Sequence, residues 1–395
     1  MDVKAGAGLS TTEDPGTAAV QASRDALDAL DGEAAGLALL FASPHHAGEA
    51  QTVLDAVHET LAPAALIGCV GEAIVGGSRE IEREPAVSVW VASIPGAETF
   101  HMEFVRTSSG GAFAGWRFEP APDPPRHPVH LMVADPFTFP VDLLLRHLNE
   151  TVPGATVVGG MASGSRMPGE TTLFRDRAIH REGVVGVRLP AEVAVHTLVS
   201  QGCRPIGQSF AVTRAEENVV FELAGRPPLE RLRETVGALA HPDRELVSNG
   251  LHVGRVIDEY KSEFGMGDFL IRGVMGADPQ SGAVAVGDSI EVGETVQFHV
   301  RDAATADEEL RSLLQREAGR LGTRPAGVLL FTCNGRGSRL FSTPDHDAKL
   351  VSEFMGGAPA AGFFCAGELG PVGGKNFLHG FTASLAVFPN DSTGG

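Results

Sequence analysis

Residues 67–77 read IGCVGEAIVGG and residues 363–374 read FFCAGELGPVGG, so nearly the same loop occurs twice in one chain. A cysteine and a Gly-Glu pair fall at matching offsets, which aligns Cys69 with Cys365 and Glu72 with Glu368. An apolar run leads into each loop, and another lies a helix length upstream of each, at 36–42 and 327–332. The pattern predicts a repeated unit of strand, helix, strand and Gly-rich loop.

A weaker third copy lies between these two. It runs from HLMVADPF at 130–137 to ATVVGGMASG at 155–164, with Ala162 and Ser163 in place of Gly-Glu. Three copies with unequal inserts are typical of a diverged duplication, because a solenoid needs a constant period. We therefore expect the three loops to share a site.

The composition of the 395 residues, 43% hydrophobic and 21% charged, is that of a globular protein. The formal charge of −19 disfavours nucleic acid and anionic membranes as partners. The sequence has neither a membrane-spanning apolar stretch nor a secretory signal, so we expect a cytoplasmic protein. Its four cysteines show no CxxC spacing, which argues against a zinc site and favours reduced thiols.

The two ends of the chain read as tails. The first 17 residues are small, polar and acidic and predict disorder, and AAVQASRDALDALDG at 18–32 predicts a leading helix. We therefore assign 1–32 to a disordered tail and leading helix, and 389–395 to a second tail. Proline-rich 121–128 predicts an ordered connector between repeats.

The stretch between the second and third repeats has its own pattern. Residues 209–223 predict a hairpin around Glu216 to Asn218, and helical spacing follows from 228 to 249. Short apolar runs with Gly-Asp and Gly-Glu turns near 268–300 predict a β-meander. We place a domain boundary near 225. The fold class predicted is α/β with two domains, in which repeated strand-helix-strand units form mixed sheets covered by helices.

Six separated motifs resemble, in order, those of the FIST family, named for F-box and intracellular signal transduction proteins. They are GCVGE, VVGGMASG, PIGQSFAVTRAEENVVFELAGRPPLE, FLIRGVMGADPQSGAVAVGDSIEVGETVQFHVRD, FTCNGRGSRLF and GFFCAGELGP. The resemblance implies an N-terminal FIST domain over 33–225 and a C-terminal FIST domain over 226–388. It also implies a sensory module that binds small molecules such as amino acids. We expect a stand-alone protein, because few residues lie outside these domains.

The two Gly-Glu loops are the first candidate ligand site. Loops at strand ends are where polar groups converge on a ligand in α/β folds. Carboxylates from Glu72 and Glu368 could bind an ammonium group or form an acid/base pair. The alternative is that each Glu caps a helix or satisfies turn amides.

The segment TCNGRGSRLF at 332–341 is the second candidate, and it resembles the cysteine-glycine-arginine-glycine signature of the C-terminal FIST domain. Arg336 or Arg339 offers a planar fork for a carboxylate, which with Glu368 would form a two-ended clamp for an amino acid. The alternative is that one arginine pairs with a structural carboxylate.

Cysteine, serine and histidine side chains complete the set. Cys333 and Cys365 fall at strand ends of the same repeat, where the cation of Arg336 would lower the pKa of a thiol, although buried cysteine is also a common core residue. Cys69 is a candidate as the counterpart of Cys365 in the repeated loop. Ser163 and the glycines around it could hold an anion or form a tight turn. His45, His46, His127 and His130 lack the spacing of a metal site, and we expect them to be exposed loop residues. We predict neither a metal nor a cofactor.

Three functions remain open from the sequence. The first is a sensory protein that binds a small polar metabolite through Cys69, Glu72, Ser163, Cys333, Arg336, Arg339, Cys365 and Glu368, and has a signalling partner. The second is a hydrolase acting on a small amide with Glu72 or Glu368 as base. The third is a protein-interaction scaffold. We favour the first and expect no enzyme, because no nucleophile-base-orienter set is evident.

Overall fold

The structure is a computed structural model that describes residues 3–107, 110–116, 118–119, 127–261, 263–265 and 267–390. Residues 121–126 of the connector predicted at 121–128, and residues 391–395 of the predicted tail, lie outside the described residues. The chain divides into two compact units. The repeat unit comprises Met1–Val199, Leu310–Leu378 and Thr382–Gly395, and the barrel unit comprises Ser200–Glu309 and His379–Phe381.

The first repeat occupies the N-terminal part of the repeat unit. Its elements are β1 (Ala5–Ser10), α1 (Pro15–Asp28), β2 (Leu37–Ala42), α2 (Ala50–Leu61), β3 (Ala65–Val70), β4 (Ile74–Gly76), β5 (Arg79–Ile81) and β6 (Val87–Ala92), with a 3₁₀ turn at Pro44–Glu49. Strands β2 and β3 are parallel, with α2 as their crossover, as the repeat pattern predicts.

The second repeat begins with two strands where the first has β1 and α1, and from there on it has the same order of elements. They are β7 (Glu98–Thr107), β8 (Gly110–Ala114), β9 (Val129–Ala134), α3 (Val141–Thr151), β10 (Thr156–Met161), β11 (Leu173–Arg175), β12 (Ala178–His180) and β13 (Val184–Arg188). Strands β9 and β10 are the parallel pair of this repeat.

The next segment begins with one strand that joins a sheet of the repeat unit, and then forms most of the barrel unit. Its elements are β14 (His196–Ser200), β15 (Cys203–Glu216), β16 (Val219–Leu223), α4 (Pro228–Ala238), α5 (His241–Asn249), β17 (Leu251–Val256), β18 (Phe269–Ala277), β19 (Val284–Val286) and β20 (Thr295–Arg301). The predicted hairpin is present as β15 and β16. Strand β19 pairs with β18, whereas β20 pairs with β15 and β17, so the predicted meander is part of a closed barrel.

The third repeat follows the long helix α6 (Ala303–Leu321). It contains β21 (Gly327–Cys333), a 3₁₀ turn at Gly337–Arg339, α7 (His346–Phe354), β22 (Ala360–Cys365), β23 (Glu368–Val372), β24 (Lys375–His379) and β25 (Ala383–Phe388). Strands β21 and β22 are the parallel pair. The predicted α/β class with mixed sheets and helices is therefore confirmed.

The hairpin of each repeat pairs with the sheet of another repeat. Strand β11 of the second repeat pairs with β3, β23 of the third pairs with β10, and β4 of the first pairs with β22, all antiparallel. The three resulting sheets have the orders β1-β6-β2-β3-β11-β12, β24-β23-β10-β9-β13-β7-β8 and β14-β25-β21-β22-β4-β5. The exchange is cyclic, so the three repeats depend on one another.

One core is common to all three sheets. It receives Leu39 from β2, Leu131 from β9 and Leu329 from β21, with every second residue of these strands. The intervening residues, such as Leu40 and Leu330, pack in separate clusters with the helices. Burial on both faces explains why these strands read as continuous apolar runs.

A glycine in each parallel pair lies against the neighbouring backbone. A Cβ atom at Gly68, Gly159 or Gly362 would lie 1.8, 1.9 or 1.8 Å from a carbonyl oxygen of the adjacent strand. Only glycine allows so close an approach. The same requirement in all three repeats supports their common origin from one duplicated unit.

The predicted disorder of the N-terminal tail is wrong. Strand β1 pairs antiparallel with β6 along its whole length, from Ala5 opposite Ala92 to Ser10 opposite Val87. A Cβ at Gly6 would lie 2.0 Å from the carbonyl oxygen of Ala26, so the glycines let α1 pack directly on this strand. Small residues that read as a tail are required by this close packing.

Candidate functional site

The three repeated loops meet in the repeat unit. Gly164 N–H donates to the carbonyl of Val70 at 3.1 Å, and Ala366 N–H donates to the carbonyl of Met161 at 3.0 Å. The hydroxyl of Ser163 accepts from the N–H of Glu72 at 2.8 Å and donates to the carbonyl of Phe364. The predicted Ser163 therefore links the loops of the first and third repeats.

Glu72 and Arg339 form an ion pair at the surface of this junction. The Nη2 atom of Arg339 lies 2.5 Å from Oε1 of Glu72, and Nη1 donates to the carbonyl of Asn334 at 2.8 Å. The hydrogen bond and charge of Glu72 raise the pKa of Arg339. The side chains of Glu72 and Arg339 are 32% and 53% exposed, so both remain accessible to a solute.

Arg336 is buried and engaged by Asp347. Its Nε and Nη2 atoms donate to the two carboxylate oxygens at 2.6 and 2.8 Å, and Thr332 donates to the same carboxylate at 2.7 Å. Burial opposes ionisation of Asp347, but the charge and hydrogen bonds of Arg336 hold its pKa below the ordinary value. This is the structural pairing that the sequence left open as an alternative for one arginine.

Glu80 lies beside this ion pair at the start of α7. Its Oε1 accepts from the N–H of Ala348 at 3.0 Å, in the first turn of the helix. Burial, and after it the negative charge of Asp347, raises the pKa of Glu80 to about 8. Two neighbouring buried carboxyl groups therefore differ in protonation at neutral pH, since Asp347 is ionised.

Glu368 is fully buried, unlike its counterpart Glu72. Its Oε2 accepts from the N–H and the hydroxyl of Thr382 at 3.1 and 2.9 Å. Burial raises its pKa to about 8, although hydrogen bonds from Thr382 act in the opposite sense. Of the two members of the predicted clamp, Arg339 forms its ion pair with Glu72, and Glu368 accepts hydrogen bonds from Thr382.

The predicted cysteines are core residues in the structure. Cys69, Cys333 and Cys365 are buried, and no disulfide joins any of the four cysteines, all of which lie within the described residues. Burial raises the pKa of Cys69 and Cys365 well above the ordinary value. A thiol in this state is a poor nucleophile, so the geometry favours a packing role.

A polar cavity of about 320 Å³ adjoins the arginine segment. Its wall includes the cationic side chains of Arg79 and Arg83, the anionic side chains of Glu82 and Glu84, and the uncharged Glu80 and Ser338. Glu82 accepts from the N–H of Ser338 at 2.8 Å and from its hydroxyl at 2.5 Å. The segment that contains Arg339 is thereby held against the strand that lines the cavity.

Sequence reasoning missed Asp347, Glu80, Glu82 and Thr382. A Gly-flanked arginine in a buried position requires a carboxylate, and Asp347 lies in the polar stretch that leads into the last helix and forms its first turn. This polar stretch was the feature of the sequence from which Asp347 could have been predicted as the partner of the arginine. The roles of Glu80 and Glu82 could not be predicted from the sequence, because they depend on the pairing of the β4–β5 hairpin with β22 of the third repeat.

Two family models together match most of the chain. The FIST N domain matches residues 36–226, and the FIST C domain matches residues 228–371. This chain belongs to the FIST family. FIST domains are associated with signal transduction. The matched segments cross the compact units, because β15 and β16 fall in the FIST N segment but belong to the barrel.

Relatives of this FIST protein share its full length. An uncharacterized protein of Mycobacterium tuberculosis is 53% identical over 386 residues, which cover 98% of this chain and 100% of the relative. An uncharacterized protein of Mycobacterium bovis is 52% identical over 389 residues, with the same coverage. None of the helices that the structure describes combines the length and the hydrophobicity that a membrane span requires.

Proposed function

We propose that this FIST protein is a sensory module that binds an amino acid or a similar polar metabolite between Glu72 and Arg339. The carrying observation is the ion pair itself: the two opposite charges that a zwitterion needs lie together and remain accessible. A guanidinium recognises a carboxylate by paired hydrogen bonds, and a carboxylate recognises an ammonium group. A zwitterion would replace each partner of the existing pair with one of its own ends.

The neighbouring cavity supports a small polar ligand. Its volume of about 320 Å³ is at the lower end of the range for small-molecule sites. Arg79 and Arg83 supply further cations, and Glu82 and Glu84 supply anions, so a purely apolar ligand would leave these groups unmatched. The ligand class that fits best is small and carries both signs of charge.

The other predicted residues act as positioning groups in this proposal. Ser163 holds the backbone of Glu72, and the carbonyl of Asn334 holds the guanidinium of Arg339. Arg336 is anchored through Asp347 beneath the segment that carries Arg339. Glu368 and the buried thiols support the junction of the loops and do not contact the ligand.

Thermal unfolding against a panel of amino acids and small metabolites tests the proposal first. A ligand present at about 100 times its dissociation constant stabilises the folded state by roughly 2.7 kcal/mol. For any ligand found in this way, Glu72→Gln and Arg339→Gln should each raise the dissociation constant by about tenfold or more, because a charged hydrogen bond is lost.

The matched control is Arg226→Gln, which removes an exposed ion pair with Glu230, of 3.0 Å, in the barrel unit. Affinity unchanged in both Glu72→Gln and Arg339→Gln would remove these residues from the site. Conversion of an amide ligand to product, lost in Glu72→Gln, would favour the hydrolase. A stable protein partner that binds both variants as tightly as it binds the unmodified protein would favour the scaffold.

A further inference from the structure

Two buried ring nitrogens of the second repeat have no hydrogen-bond partner among the described residues. They are Nε1 of Trp116 and Nδ1 of His130. A buried polar atom without a partner destabilises the folded state, because it has lost the hydrogen bonds that it makes to water in the unfolded chain. Such a pair in one region points to a ligand that supplies the missing partners.

His130 lies in a row of polar side chains that crosses three strands. Arg188 is paired in register with His130 on one side and with Glu98 on the other, so the three side chains share a sheet face. Arg188 donates to Glu98 at 3.2 Å, and these two charges offset each other. His130 lies in β9 and is 3% exposed, so the expectation of an exposed loop residue is wrong for it, as it is for the buried His46. Burial lowers the pKa of His130 to about 4, so its ring is neutral at pH 7.

A cavity of about 680 Å³ lies over this row. Its wall includes Trp116, His130, the Arg188–Glu98 pair and the carboxylate of Glu119. The carboxylate of Glu119, which has no ion pair among the residues that the structure describes, disfavours an anionic group there. A hydroxyl or a primary amide both accepts and donates, and so can satisfy an indole N–H and a neutral imidazole nitrogen together.

A second cavity of about 540 Å³ shares Phe113 and Trp116 with the first. The rest of its wall is mainly apolar and comes from β7, β8 and α3, including Met102, Leu144 and Leu148. Its volume is that of a small-molecule site, and its lining suits an alkyl or aromatic group. Trp116 therefore lines both the apolar and the polar cavity.

We propose that these two cavities form one binding site for an uncharged amphipathic molecule. The apolar or aromatic body occupies the cavity beside α3, and a hydroxyl or amide head faces Trp116 and His130. This site differs in residues and in ligand chemistry from the Glu72–Arg339 site, so either can be correct without the other.

Indole N–H resonances in a ¹⁵N-labelled protein report on this site directly. The chain has two tryptophans, and Nε1 of Trp90 already donates to the carbonyl of Pro359 at 3.2 Å. Titration with 3-phenyl-1-propanol should shift the Trp116 resonance and leave that of Trp90 in place. The alcohol should bind about threefold to tenfold more tightly than propylbenzene, and more tightly than 3-phenylpropanoate.

Two variants sharpen the test when binding is measured by calorimetry. Trp116 stacks on Phe100 with 4.9 Å between the ring centroids. Trp116→Phe keeps an aromatic ring at this position but removes the N–H donor. It should weaken the alcohol about threefold to tenfold and leave propylbenzene unchanged. Glu119→Gln should strengthen binding of the propanoate and leave the alcohol unchanged. The Trp90 resonance confirms that each variant is folded.

Three outcomes would overturn the proposal. The first is a Trp116 resonance that no probe shifts up to its solubility limit. The second is tightest binding by the propanoate in the unmodified protein. The third is an equal loss of affinity for the alcohol and propylbenzene in Trp116→Phe.

Discussion

The two Gly-Glu loops have the same letters and opposite environments. In the first repeat, β3 ends at Val70 and the hairpin starts at Ile74, so Glu72 lies in a loop and pairs with Arg339. In the third repeat, β23 starts at Glu368 itself, which is therefore drawn into the sheet and buried. Where the hairpin begins decides whether the carboxylate is available to a ligand.

The two arginines of the third repeat show the same contrast. Arg336 is buried in a bidentate pair with Asp347, whereas Arg339 is exposed and pairs with Glu72. Buried ion pairs have no water to replace a lost partner, and exposed ones do. The buried Glu368 and Arg336 should therefore govern stability. The accessible Glu72 and Arg339 should govern ligand binding.

The largest effect is expected from Arg336→Met. Removing the guanidinium leaves the Asp347 carboxylate buried without its counter-charge, which should lower the free energy of unfolding by about 3–5 kcal/mol. Urea unfolding at neutral pH measures the loss. A loss as small as that of an exposed ion pair would break the contrast between the two arginines.

The pH dependence of stability separates Glu368 from Glu72. Burial raises the pKa of Glu368 from an ordinary 4.5 to about 8, so the folded state keeps a proton that the unfolded chain releases. The stability from this protonated carboxyl is complete below about pH 4.5 and is lost as pH rises through about 8.

Glu368→Gln should therefore flatten the fall of unfolding free energy across that window, on the order of a few kcal/mol. Urea unfolding at a series of pH values measures the slope. Glu72→Gln is the matched control at the equivalent position. If Glu72→Gln reduced the pH dependence of the unfolding free energy as much as Glu368→Gln does, the assignment of this dependence to Glu368 would be contradicted.

The two copies should behave alike where their packing is alike. Gly68→Ala and Gly362→Ala each place a Cβ 1.8 Å from a neighbouring carbonyl, of Leu40 and Leu330 respectively. The strands must move apart, so each change should cost about 1–3 kcal/mol. Chemical denaturation measures both. Gly48→Ala has no atom within 4 Å of the new Cβ and is the control, which should be near neutral.

The smallest effect on stability is expected from Arg339→Gln. The ion pair with Glu72 is solvent-exposed, and such pairs contribute about 0–1 kcal/mol. Stability should thus be nearly unchanged while ligand affinity falls. A loss of several kcal/mol would show that Arg339 supports the fold, as Arg336 does.

The local part of this architecture could be predicted from sequence, and the long-range part could not. Apolar runs and glycines mark β3 and β22 because strand periodicity and turn chemistry are local properties. The exchange of hairpins leaves no local signal, because a strand reads the same whichever sheet it joins. For that reason the sequence could not show that β4 pairs with β22.

The candidate site divides in the same way. The Gly-Glu and Gly-Arg-Gly patterns led to Glu72 and Arg339, which the structure brings together. They gave equal weight to Glu368, whose burial depends on Thr382 and on the strand that β23 joins. Burial is a tertiary property, so residues of one type with one spacing could not be separated.

The cyclic exchange of hairpins also constrains how the chain is made. As the ribosome finishes the second repeat, the first sheet already has all its strands, but β4 must wait for β22 at 360–365. Strand β10 likewise waits for β23. Unpaired strand edges in a nascent chain invite aggregation. A premature stop between the second and third repeats would therefore release a polypeptide with two open β-edges, which we expect to be a target for chaperones and proteases.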